Sequence, residues 1–439
     1  MSLYQLERER DLEDLVEVLQ HSDNPSIRKR AAEVIGDILD TGDVEESDLV
    51  LESDETDDLG LEALEAEADR ETVIDVLVRA VKDDENEGVR AAAVDALDKH
   101  SQEALERVVA ELSGKDLDAA ADWVAAKTFA DVLEADQPEL RMAAATGLGR
   151  VGDPSVTASL VDRLSDEDPR VRARSAVACG RIEDPRAVGP LEELITSDSN
   201  IDVRQAVARA LGDIGTEGAL SVLLDAAGDP SGSVRRVVAD SLGQFGSVEP
   251  VDTLVGFLDD EHEMVRRTAM FSLVEILSNA PPQQSHEVRQ AAADRLESAT
   301  ADEVIPPLTE ILTESSGSPQ RRNAAWLLGR VVGHQHREMA REALIEALGD
   351  DDGMTAQFAA TSLTQLDDPG LERELLELAR DETGDEDARS KALFVLGKVG
   401  GDRARDELGE FVDRTESDEL REQAFSALSK LGGIGAGGI

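Results

Sequence analysis

Between positions 171 and 195, small and apolar residues fall at Val171, Ser175, Ala176, Cys179 and Ile182, then at Val188, Leu191, Leu194 and Ile195. Gaps of three and four put each set on one helix face rather than on alternate sides of a strand. Asp184-Pro185 lies between the sets. Asp at an N-cap and Pro in the first turn end one helix and begin the next. The pattern therefore predicts a helical hairpin. Gly180 sits inside the first helix, where Gly costs about 1 kcal/mol against Ala, so the close approach of a neighbouring helix is expected there.

The hairpin recurs. Its opening phrase, an apolar residue, Arg, two small residues and later Leu-Gly or a stand-in, reads Leu140-Arg141, Val171-Arg172, Val203-Arg204, Val234-Arg235 and Val265-Arg266. The spacings are 31, 32, 31 and 31 residues. One hairpin cannot bury both apolar stripes alone, so this period predicts an all-α fold, an α-solenoid of roughly a dozen stacked hairpins. The phrase continues less regularly at Ile27-Arg28, Val89-Arg90, Val288-Arg289, Gln320-Arg321, Thr355, Ala388-Arg389 and Leu420-Arg421.

Three irregularities divide the chain. Ile27 to Val89 spans two periods and holds an acidic insert at about 40–69, expected as a mobile loop that could order on a partner. Val89 to Leu140 leaves room for an extra helix around 118–133, and Val265 to Val288 marks a clipped unit near Pro281-Pro282. The expected organisation is irregular units over 1–136, regular repeats over 137–279, less regular repeats over 280–432 and a flexible Gly-rich tail over 433–439.

The pattern V-R-x-x-[AS]-A…[LC]-G-x-[IV]-x-D-P, as in Val171 to Pro185 and Leu140 to Pro154, resembles HEAT repeats. It is most similar to the subclass found in phycocyanobilin lyase subunits and deoxyhypusine hydroxylase. The resemblance covers nearly all of residues 20–432. It implies an armadillo-type solenoid and, most often, a scaffold for other proteins; by that hydroxylase's example it also admits a di-iron oxidoreductase or a bilin lyase.

Charge narrows this picture. The 439 residues carry 96 Asp plus Glu against 44 Lys plus Arg, a formal net charge of −52, and only 8 of the basic residues are Lys. At about 1 M salt the screening length is roughly 3 Å, so such a density suits a multimolar-salt cytoplasm. A halophilic, haloarchaeal source is expected, with an ordinary acidic scaffold as the alternative. HEAT proteins of this composition resemble those found with haloarchaeal signalling and taxis systems. A basic stripe, the footprint of nucleic-acid binding, is missing from the sequence. Without a spanning apolar stretch, a secretory leader or a second cysteine, the expectation is a cytoplasmic protein with protein partners and no cofactor, metal or small-molecule substrate.

Candidate chemistry is sparse. Cys179 takes the column of Leu148, Leu211 and Leu242 and reads as a buried small hydrophobe. His262-Glu263 and His286-Glu287 resemble the hydroxylase's His-Glu motifs, but there are two pairs rather than four, and they precede the Val-Arg phrase instead of following it. His334 and His336 form the other close pair, and the terminal G-x-G-x-x-G over 433–438 lacks the helix that a phosphate fingerprint needs. The residue six after the opener points away from the core stripe. It is polar in most repeats (Thr146, Arg209, Asp240, Asp294, Thr361 and Ser426 among them) but aromatic at Phe271, Trp326 and Phe394. These rings are either a binding surface or core displaced by a register shift. Asp162, Glu193 and Asp225 face outward on the second helices, either as an acidic groove for a basic segment or as hydrated surface. Asp153 and Asp184 are expected to reach Arg172 and Arg204 of the following repeats and to fix the twist.

Overall fold

The computed structural model describes residues 10–40, 59–100, 102–114, 122–297, 301–331, 336–366 and 368–432, with Leu6, Arg8 and Ala299. Every regular element among them is helical. The backbone clusters into two compact units, Met1–Val222 and Leu223–Ile439.

The first unit holds α1 (Leu12–His21), α2 (Pro25–Asp40), α3 (Leu59–Asp83), α4 (Glu87–His100), α5 (Gln102–Ser113), α6 (Asp122–Val132), α7 (Pro138–Val151), α8 (Thr157–Arg163), α9 (Pro169–Ile182), α10 (Val188–Ser197) and α11 (Ile201–Ile214), and α12 (Glu217–Asp225) begins within it. The first helices α2, α4, α7, α9 and α11 pack in succession, and the second helices lie against the first helices that follow them. The second unit holds α13 (Gly232–Leu242), α14 (Val251–Phe257), α15 (Glu263–Asn279), α16 (Ser285–Leu296), α17 (Ala301–Glu314), α18 (Ser318–Val331), α19 (Arg337–Glu346), α20 (Gly353–Leu363), α21 (Leu371–Arg380), α22 (Glu386–Val399), α23 (Asp402–Arg414) and α24 (Asp418–Lys430). Here α13, α15, α18, α20, α22 and α24 form the first-helix series. Stacked hairpins make up the solenoid that the period predicts.

Local chemistry sets each hairpin. Asp168 caps α9 by accepting from the Arg170 amide, with Pro169 in the first turn. The helix ends on Glu183 in the left-handed conformation, where α7 and α11 use Gly152 and Gly215. Asp184 then caps a short 3-10 turn, Pro185–Ala187, that leads into α10. Gly180 has the expected reason to be Gly: a Cβ there would lie 2.7 Å from the Ala210 Cα of α11.

The irregularities resolve into extra helices. α6 is the additional helix expected before Leu140, and its Phe129 packs on Gly147 of α7. Flanked by α4, α5, α6 and α9, α7 is buried from Glu139 through Gly149. Thr146, expected to face outward, is therefore inside, and its hydroxyl donates to the Met142 carbonyl at 2.9 Å. The acidic insert falls outside the described residues over 41–58. From Leu59 onward it is helix rather than loop, because the run is rich in Leu, Ala and Glu, all strong helix formers. Val288-Arg289 does not open a first helix. It lies in α16, which packs on α14 and α15 as an additional second-layer helix, so α15 and α18 are successive first helices. The clipped spacing is thus an inserted helix and not a shortened repeat.

The phrase arginines form a ladder. Arg172 donates to the Asp198 carboxylate through Nε at 2.6 Å and Nη2 at 3.1 Å, and through Nη1 to the Asp166 carbonyl at 2.8 Å. The same arrangement joins Arg28 to Asp84, Arg141 to Asp166, Arg235 to Asp260 and Arg321 to Asp350. Arg90 pairs with Glu139 instead, after the inserted α6. Each such Asp also accepts the amide two residues on, as Asp198 does from Asn200 and Asp260 from His262. Asp153 and Asp184 do not serve this purpose. Asp153 accepts from the Ser155 amide, and Asp184 accepts from Arg186 and from the Thr157 hydroxyl. They sit at the first turn of the hairpin, whereas the arginines point at the turn between hairpins.

Candidate protein-binding surface

Phe271 on α15, Trp326 on α18 and Phe394 on α22 belong to the second unit, and each is half-buried. The register around them is intact. Met270 and Leu273, Ala325 and Leu328, and Leu393 and Leu396 are fully buried beside the three rings. In the same column Arg209, Asp240, Thr361 and Ser426 are exposed. Each ring lies under a cation. The Arg330 guanidinium is 3.8 Å from the Trp326 ring centre, the Lys430 ammonium 5.2 Å from Phe394, and the Arg267 guanidinium 5.9 Å from Phe271. Such contacts contribute about 0.5–1 kcal/mol at exposed sites. They also shield part of each ring from water.

Asp162 on α8, Glu193 on α10 and Asp225 at the end of α12 are all exposed. Phe425 on α24 adds an apolar surface residue that the sequence pattern did not single out, at 47 % exposure. It holds the column five after the opener, which Ala176, Ala208 and Ala239 occupy fully buried in other repeats. That column was the signal available for finding it.

Cys179 is fully buried, and burial, followed by the nearby Asp184 charge, pushes its thiol up to about 12. A thiol held protonated is packing, not a nucleophile. His262 is exposed at the N-cap of α15, with Nδ1 3.1 Å from Arg235 Nη2 and 3.3 Å from Asp260 Oδ1. His286 is exposed on α16. His336 caps α19 and contacts the Asp302 carboxylate, while His334 and the glycines over 433–438 lie outside the described residues. Among the described residues no group of three or more His, Cys, Asp or Glu is placed to hold a metal ion. No helix among them is long and apolar enough to cross a membrane.

Comparison with known proteins agrees with this geometry. A family profile described as HEAT repeats matches residues 126–210, 190–274, 305–386 and 341–429. Over 464 aligned residues the chain is 44% identical to a HEAT repeat-containing taxis protein of Halobacterium salinarum, spanning 98% of this chain and 99% of that protein. Stacked hairpins, profile and near-full-length relative converge: the chain belongs to the HEAT-repeat family.

Proposed function

We propose that this protein is a non-catalytic adaptor that binds other proteins in the taxis signalling of a haloarchaeal cytoplasm. The observation that carries the reading is the 44% identity, sustained over 98% of the chain, to a haloarchaeal taxis protein. Likeness along the whole length favours a shared surface rather than a shared repeat alone. The acid-rich composition supports work in multimolar salt. Phe271, Trp326 and Phe394 are the proposed apolar contacts, and Asp162, Glu193 and Asp225 the proposed polar ones. Rings under cations suit an adaptor, because a partner can displace solvent from an already ordered side chain at small entropic cost.

Deleting the gene in a motile haloarchaeon that encodes it tests the proposal. Growth and motility are expected to persist while directed responses to light or attractants are lost. A deletion strain that responds like its parent would overturn the reading.

A further inference from the structure

The arginine of the misplaced phrase is free of the ladder. Arg289, on the inserted α16, makes neither the carboxylate pair nor the turn contact that Arg172 and Arg235 make. Its Nη2 instead reaches the Asn323 Oδ1 of α18 at 3.3 Å, and its Nε is buried without a hydrogen-bond partner. Asn323 is itself buried and fixed by donating to the Ser278 hydroxyl at 3.0 Å. Asn323, Trp326 and Arg330 stand three and four residues apart on α18, hence on one face. Arg330 is exposed, its guanidinium 3.8 Å from the Trp326 ring centre and its Nη1 3.5 Å from the Trp326 carbonyl, and the exposure leaves its remaining N–H groups open to bidentate contact. Among the described residues neither arginine forms an ion pair with a carboxylate, and the residues over 332–335 include no acid.

Burial lowers the Arg289 guanidinium from its ordinary value; burial, then the Arg289 charge, lowers that of Arg330. Two like charges thus stand near one another beside an aromatic ring, Arg289 half-buried and Arg330 exposed, in a chain of net charge −52. For Arg289, whose Nε is buried without a partner, the missing counter-charge is costly unless an anion completes it.

We propose that Arg289, Arg330 and Trp326 form the docking site for an acidic segment of a partner protein, the arginines taking a carboxylate and the ring an adjacent apolar side chain. Charge complementarity selects this occupant. The surrounding chain is strongly acidic, so a basic segment has many places to bind, whereas an acidic one has few. Contact within a part-desolvated site is also screened less by multimolar salt than surface pairing is.

The inference rests on the adaptor reading only in taking the partner to be a protein. The test uses the full chain in about 2 M KCl, where the screening length falls below roughly 3 Å. The probe is a fluorescein-labelled peptide of Glu and Leu, followed by anisotropy. The Glu-Leu peptide is expected to bind saturably and its Gln-Leu counterpart to fail. Combining Arg289→Gln with Arg330→Gln is expected to weaken binding about tenfold or more, the loss of roughly one charged hydrogen bond. Arg209→Gln, the same charge change at an exposed site on α11, is expected to leave it unchanged. Arg330→Lys, which keeps the charge at an exposed position but removes the planar fork, is expected to weaken binding and serves if the double variant does not fold. Equal binding by the arginine variants, an equal loss with Arg209→Gln, or displacement of the peptide by inorganic phosphate at matching concentration would overturn the proposal. Failure here leaves the deletion phenotype untouched, and a tactic deletion strain leaves the titration standing, so the two readings fail separately.

Discussion

Arg172 and Asp198 stand 26 residues apart in sequence and meet in a two-pronged ion pair at 2.6 and 3.1 Å. The Asp198 carbonyl accepts in turn from Arg204 of the next first helix at 2.9 Å, so one acid ties two hairpins together. The side chains are 17% and 4% exposed, which places the pair between surface and core. Removing one partner of a buried pair costs far more than removing both, because the survivor is left uncompensated. Asp198→Ala should therefore destabilise the chain by about 3–5 kcal/mol, while Arg172→Met with Asp198→Leu should recover most of that loss. Denaturant unfolding in multimolar KCl measures both, and a double variant that loses as much as Asp198→Ala would show that the stranded Arg172 carries no penalty.

The same ladder makes the fold sensitive to acid. Asp260 is held down to about 2, first by its hydrogen bonds from Arg235, against burial that acts the other way, and with help from the His262 amide and the Arg235 charge. An unfolded Asp titrates near 4. The depressed group thus contributes stability above about pH 4 that is lost as pH falls through about 2. Stability followed down this range should decline, and Asp260→Asn should be less stable at neutral pH yet show a shallower decline below about pH 4. An unchanged slope would mean that this carboxylate does not couple folding to protons.

The core was legible because its period is fixed: Val171, Val203, Val234 and Val265 are all fully buried, as the helical spacing requires. The ladder's acids were not, although Asp84, Asp166, Asp198, Asp260 and Asp350 each stand five residues before an opener. In a chain with 96 carboxylates a recurring Asp is hard to tell from background, and Asp184 was the more conspicuous choice beside its Pro. Val288-Arg289 misled for a different reason. Its local phrase satisfies the repeat, and only packing shows that α16 occupies another layer. The rings at Phe271, Trp326 and Phe394 were visible as a column, but the cations above two of them come from one helical turn along the same helix and the third from the next first helix. Periodicity of apolar residues carries no information about that.

Cys179 offers a probe of the regular repeats. Its thiol is fully buried and pushed up to about 12 by burial and by Asp184, so it is neither accessible nor ionised near neutral pH. A thiol-reactive disulfide reagent should leave the native chain unmodified in multimolar KCl and label one thiol per chain after unfolding. Lowering the salt should raise the labelling rate, since longer-range repulsion opens the stack more often. Rapid labelling of the native chain in high salt would contradict the packing around α9.

Two glycines separate close packing from helix propensity. Gly409 lies inside α23 with nothing within 4 Å of where a Cβ would stand. Gly409→Ala should stabilise the chain by up to about 1 kcal/mol, the ordinary gain from exchanging Gly for Ala in a helix. Gly180→Ala receives the same gain, but its methyl meets the Ala210 Cα at 2.7 Å, and a backbone atom cannot swing aside as a side chain can. Overpacking of this kind costs about 1–3 kcal/mol, so the clash outweighs the propensity and the variant should be destabilised by roughly 1–2 kcal/mol. Thermal unfolding of the two variants beside the parent chain, in the same salt, gives the comparison. If both alanines stabilise, the first helices α9 and α11 lie farther apart than the repeat requires, and Gly180 has lost its reason to be there.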